Sequence, residues 1–157
     1  MKSAAKKVVK SLIKKKLKIS IAESCTGGLL SSYITSIAGS SKVFNVGLVT
    51  YSNQSKINIL KISKRLIKRY GAVSEQVCAS MAQNVRKIGR SKVSLSITGI
   101  AGPNGGTKKK PIGLVYIGLT NGNKIVVKKY LFKKNGRSYI QRNTVRKSLK
   151  LILTSIK

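Results

Sequence analysis

A hydroxyl, a thiol and a carboxylate stand side by side in the run Ala22-Glu23-Ser24-Cys25-Thr26-Gly27-Gly28. Ser24 or Cys25 could serve as a nucleophile, and Glu23 could carry a proton or orient a donor. The paired glycines mark a tight turn into a helix, where backbone N–H groups and the positive helix end attract an anion. The same run also suits a plain helix start, with Ser24 or Thr26 as its cap. A second glycine loop, Gly99-Ile100-Ala101-Gly102-Pro103-Asn104-Gly105-Gly106-Thr107, follows a second strand-like segment. Neither loop matches a phosphate-loop or dinucleotide fingerprint.

Composition narrows the chemistry. The chain has 157 residues, no histidine and no aspartate; Glu23 and Glu75 are its only acids, and Cys25 and Cys78 its only cysteines. A Ser-His-Asp or Cys-His arrangement cannot be assembled from these residues. Zinc sites and two-metal phosphoryl chemistry lack ligands, so no metal and no cofactor is expected. Any hydrolytic base has to be a lysine, one of the two glutamates or a tyrosine. The cysteines have no metal spacing and point to a reducing, cytoplasmic setting. No apolar run reaches membrane-spanning length, and Met1–Lys7 does not read as a secretory signal; no membrane partner is expected.

The charge is extreme: 33 Lys and Arg against 2 acids, a formal net charge of +31. Clustered cations bind nucleic acid by displacing counterions from phosphates. Here, however, 26 of the 33 are lysines spread over nearly every polar stretch, the pattern of a biased composition rather than of one binding stripe. The expected consequence is weak, non-specific nucleic-acid binding through the basic surface.

The elements that must position the first run are legible from periodicity. Residues 3–16 carry apolar residues on one helical face, and 17–21 alternate like a short strand. A helix is predicted from Gly28 to Ile37, stopped at Gly39. Val43–Tyr51 reads as a strand, Gln54–Leu60 and Ser63–Gly71 as short helices, and Ser74 to about Ile88 as a longer one. Lys92–Thr98 is a strand. Ile112–Thr120 and Lys124–Phe132 form a hairpin around Asn121-Gly122-Asn123, and Arg137–Ile156 is a terminal helix. Strands alternating with helices predict an α/β fold: a three-layer α/β/α sandwich with a mixed β-sheet, in a single domain over residues 1–157. Ligands in such folds gather beyond the strand ends, where both glycine loops lie.

Five blocks in order carry a resemblance. Ala22–Gly28, Ala38-Gly39-Ser40-Ser41, Val49-Thr50-Tyr51-Ser52-Asn53 with Lys56, Gly71-Ala72-Val73-Ser74-Glu75, and Thr98–Pro103 with Gly105-Gly106-Thr107 and Lys110-Pro111-Ile112-Gly113 are similar to the CinA C-terminal domain family. The resemblance implies a nicotinamide-nucleotide amidase, which converts nicotinamide mononucleotide to nicotinate mononucleotide and ammonia, commonly as a homo-oligomer. It implies a Ser/Lys mechanism in which Ser24 is the nucleophile, Lys56 the base and Tyr51 a third catalytic residue beside that lysine.

A lysine base must be neutral, so its pKa has to be lowered by burial or neighbouring cations. The start of a short helix at Gln54 would act in the same direction. Backbone N–H groups near Thr26, Gly27 and Gly28, or near Gly99 and Gly102, would hold the oxyanion. Glu23, Thr98 and Arg137 complete the expected substrate site, Arg137 facing a phosphate. Cys25 reads as packing and Glu75 as a helix-start charge. The chain departs from the family pattern at Asn104, where an acid is usual. It departs again at Asn135-Gly136-Arg137, where Gly-Asp-Arg is usual, and at Gln141, where an arginine is common. The competing reading is a catalytically silent basic domain that binds nucleic acid or a protein partner.

Overall fold

The computed structural model describes residues 1–157. In chain order the elements are α1 (Lys2–Lys14), β1 (Ile19–Glu23), α2 (Leu29–Thr35), β2 (Phe44–Val49), α3 (Asn53–Asn58), α4 (Lys64–Tyr70), α5 (Glu75–Ile88), β3 (Val93–Gly99), β4 (Leu114–Asn121), β5 (Lys124–Leu131) and α6 (Arg137–Ser155). One five-stranded sheet has the order β2-β1-β3-β4-β5. β1 is parallel to both β2 and β3, while β4 and β5 are antiparallel. The three-layer sandwich with a mixed sheet is therefore the observed architecture.

Most boundaries lie within a residue or two of the sequence reading, and two of the shifts have a visible cause. β1 begins at Ile19, not Leu17, because Lys16 turns left-handed and Leu17 donates its N–H back to Leu12 to close α1. α2 ends at Thr35, not Ile37. The Thr35 and Ser36 hydroxyls donate to carbonyls of Ser31, Ser32 and Tyr33, which suits a helix end better than a helix interior. Gly39 does not stop α2; it opens a separate 3-10 turn at Ser40–Lys42.

Alternation along the strands sorts the two faces. Ile19 and Ile21 of β1, Val93, Leu95 and Ile97 of β3, and Val115, Ile117 and Leu119 of β4 join the core formed with α1, α2 and α6. The opposite face carries small residues, and α5 packs closely on it. Ser94 donates its hydroxyl to Ala82 O at 2.6 Å, and Ser96 to Cys78 O at 2.7 Å. The polar half of β3 is thus buried rather than facing water, and its Ser94 and Ser96 hydroxyls are satisfied by α5 carbonyls.

Helix placement fixes where a ligand can bind. The chain leaves β1 through α2 on one face, and leaves β2 through α3, α4 and α5 on the other. The crevice between the C-terminal ends of β1 and β3 is therefore a topological switch point.

The close approach of α5 has a test. A Cβ on Gly118 would lie 2.7 Å from Ser96 Oγ and 3.1 Å from Cys78 O. Gly118→Ala must displace a hydroxyl that is already bonded, and a destabilisation of about 1–3 kcal/mol is expected in urea unfolding. Unchanged stability would contradict this packing.

Candidate active site

Ser24 follows β1 directly, and its N–H donates to Ile97 O of β3 at 3.1 Å. Two residues on from Ala22, its side chain takes the α5 side of the sheet. Lys56 comes from α3, whose start is capped by Ser52 accepting from Ser55 N. Lys56 Nζ lies 2.9 Å from Ser24 Oγ, 2.8 Å from Thr50 O and 3.2 Å from Tyr51 O. Two residues 32 positions apart thus meet at the switch point.

Lys56 is 1 % exposed. Burial lowers its pKa from 10.5 to about 8, because the charged amine has lost its water. The helix start does not contribute as expected: Lys56 is the fourth of six residues in α3, as near the negative end as the positive one. The geometry serves both protonation states. The ammonium can donate to all three oxygens. The neutral amine can keep its two N–H bonds to the Thr50 and Tyr51 carbonyls and turn its lone pair to the Ser24 hydroxyl.

The side chains beside Ser24 in the run take other roles than substrate contact or nucleophile. Glu23 is fully buried and its carboxylate accepts from Leu30 N, Ser31 N and Ser31 Oγ at 3.1, 2.8 and 2.7 Å. It anchors the first turn of α2, on the sheet face opposite Ser24, and does not line the cavity; the sequence reading of Glu23 as a substrate contact is corrected accordingly. Thr26, Gly27 and Gly28 also lie outside the cavity wall. The Thr26 hydroxyl is buried without a partner. The N–H groups of Cys25 and Thr26 make no backbone hydrogen bond and are free donors just after Ser24. The Cys25 thiol is pushed up to about 12 by burial, so it stays protonated and inert near neutral pH.

Ser24 and Lys56 open into a cavity of about 240 Å³. Thr98, Gly99, Gly102 and Arg137, all expected from the sequence, line it. Thr98 acts there by donating to Ala72 O at 2.9 Å, which holds the opposite wall. Arg137, the first residue of α6, donates to Gly102 O at 3.0 Å and to the Tyr51 phenol oxygen at 2.6 Å. Tyr51 therefore differs from the expectation. Its backbone carbonyl holds Lys56, while its half-exposed ring reaches Arg137 at the mouth. Gln141 donates to Cys25 O at 2.8 Å and ties the Ser24 turn to α6.

Sequence reasoning missed Asn53, Ala72 and Val73 as wall residues. The block Gly71–Glu75 was the available signal for the last two. Glu75 itself is exposed in the first turn of α5, as its helix-start reading requires.

The CinA C-terminal domain model matches residues 1–156. The chain belongs to the CinA C-terminal domain family. A CinA-like protein of Prochlorococcus marinus (strain MIT 9301) is 49% identical over 153 residues, covering 94% of this chain and 36% of that protein. The chain thus spans about a third of the length of the curated relatives it matches. Among solved structures, the competence/damage inducible protein CihA from Agrobacterium tumefaciens superposes with a TM-score of 0.95 at 35% identity, covering 98% of this chain and 93% of that one. A CinA superfamily protein from Enterobacter cloacae superposes with a TM-score of 0.94 at 33% identity, covering 99% and 92%. No helix is long and apolar enough to cross a membrane.

The buried amine makes a stability prediction. The folded protein releases the Lys56 proton near pH 8 and the unfolded chain near 10.5. Between those values the unfolded state binds more protons, so stability rises with pH. Lys56→Met lacks this rise. Subtracting its denaturation curve from the wild type should leave a gain on the order of 2–3 kcal/mol between pH 7 and pH 11. Parallel pH profiles for the two proteins would show that Lys56 is not desolvated.

Proposed function

We propose that the domain is an amidohydrolase that converts nicotinamide mononucleotide to nicotinate mononucleotide and ammonia. The observation that carries this reading is the 2.9 Å contact between Ser24 Oγ and a buried Lys56 Nζ whose pKa lies near 8. The family membership supports it, as does a cavity wall whose lining holds no histidine, aspartate or glutamate.

Neutral Lys56 takes the Ser24 proton as Oγ attacks the carboxamide carbon. The resulting oxyanion is met by free backbone N–H groups, for which those of Cys25 and Thr26 are the nearest in sequence to the nucleophile. The Lys56 ammonium then returns its proton to the departing nitrogen. Ammonia leaves, and a nicotinoyl ester remains on Ser24. Water attacks this ester, again losing a proton to Lys56. The acid is released and the Ser24 hydroxyl is regenerated. Arg137, at the mouth, supplies a fork for a substrate phosphate. Accepting a phosphate there means exchanging its Tyr51 contact for the ligand.

Ammonia release from purified protein tests the reading. Ser24→Ala and Lys56→Arg should each lose at least about 10³-fold in kcat with the fold intact, the latter because a guanidinium does not give up its proton. Wild-type activity should rise with pH to a plateau above about 8. Substantial turnover by Lys56→Arg, with an unchanged pH profile, would sink the mechanism.

The +31 charge adds a second expectation, since nicotinamide mononucleotide carries net negative charge at neutral pH. Its kcat/KM should fall as salt is raised from low to physiological ionic strength, through screened attraction. A salt-independent kcat/KM would contradict a role for the surface in substrate capture.

A further inference from the structure

The block Lys110-Pro111-Ile112-Gly113 has no place in the chemistry above, yet Lys110 makes one of the shorter long-range bonds in the molecule. Its Nζ donates to Tyr70 O at 2.6 Å, across 40 residues. Tyr70 is the last residue of α4, where carbonyls lack intrahelical partners and the helix end is negative. A cation at that point is favoured twice over. The geometry beside it is fitted to the contact. Gly71 has φ +77°, and a Cβ there would come within 2.7 Å of Lys110 Nζ. Lys110 is held in turn by a tight loop, its N–H donating to Thr107 Oγ1 and its carbonyl accepting from Thr107 N.

The contact joins two walls of one cavity. Immediately after Tyr70, Ala72 and Val73 line one side; ahead of Lys110 in the same loop, Asn104 and Gly105 line another. The base of that loop is closed by Gly113 N donating to Ile100 O and Ile100 N donating to Leu114 O, but residues 103–109 are exposed. The only side-chain hydrogen bond that ties the far part of the loop to α4 is the one from Lys110. Thr98 bonding Ala72 O fixes the α4-side wall independently.

We propose that Lys110 is a positioning residue, a strap that fixes the 100–113 loop against the end of α4 and so sets the shape of the substrate cavity. It does not touch the reacting atoms. Ser24 and Lys56 are held by β1, β3 and α3, none of which Lys110 contacts through its side chain. Loss of the strap therefore weakens substrate binding and spares the chemical step. The kinetic side of this proposal rests on the amidase reading.

The test compares Lys110→Met and Lys110→Arg with the wild type in two measurements. With nicotinamide mononucleotide, Lys110→Met should raise KM about tenfold, the scale of one charged hydrogen bond, with kcat within about twofold. In limited trypsin digestion, cleavage after Lys108 and Lys109, located by mass spectrometry, should become several-fold faster. Pro111 blocks cleavage after residue 110, so neither substitution adds or removes a trypsin site. Lys110→Arg keeps a donor for Tyr70 O and should restore most of both properties. Wild-type KM and cleavage rate in Lys110→Met would overturn the proposal, as would an arginine variant as impaired as the methionine one. If the wild type releases no ammonia, the amidase reading fails, and the digestion alone decides the strap.

Discussion

A lysine amine kept out of water against a serine hydroxyl is the constraint around which this domain is arranged. The amine carries a cost, because burial disfavours the charge it would otherwise hold at neutral pH. The fold offsets that cost with the Thr50 and Tyr51 carbonyls, both at the end of β2, where the chain leaves the sheet just before α3. Ser24 is fixed from the other side, by the bond from its own N–H to β3. The pair therefore depends on three parallel strands that end close together.

That arrangement explains features remote from the cavity. Glu23 is the sole buried acid, and its carboxylate is taken up by the first turn of α2, directly after the Ser24 turn. Fixing α2 fixes the two glycines and the free N–H groups between Ser24 and Gly28. On the opposite sheet face, serines and Gly118 let α5 approach closely, and Thr98 bonds Ala72 O just ahead of that helix. Burying Ser94 and Ser96 there costs little, because each of these hydroxyls meets a helix carbonyl.

Much of this was legible in the sequence because strong local signals coincided with the fold. Strand–glycine–helix order located the Ser24 turn, the Asn121–Asn123 hairpin set the antiparallel edge, and Ser52, Ser63 and Ser74 capped their helices as their types suggest. The lack of histidine and aspartate restricted the base before any geometry was known. What stayed hidden depends on which way a side chain points. Nothing in the residue types separates Tyr51 holding Lys56 through its ring from Tyr51 doing so through its carbonyl. Glu23 looked like a site residue because it adjoins Ser24, although strand alternation turns the two to opposite faces. Lys110 was one lysine among 26, and only the position of Tyr70 O distinguishes it.

The central claim is that Lys56 is a neutral-capable amine at working pH, and direct titration tests it most simply. Lysine side-chain nitrogen-15 NMR, with Lys56→Met to assign the signal, reads that one amine apart from the bulk lysines. A midpoint near pH 8 is expected, more than two units below lysine's ordinary 10.5. A Lys56 midpoint at the ordinary value near 10.5 would contradict a desolvated amine.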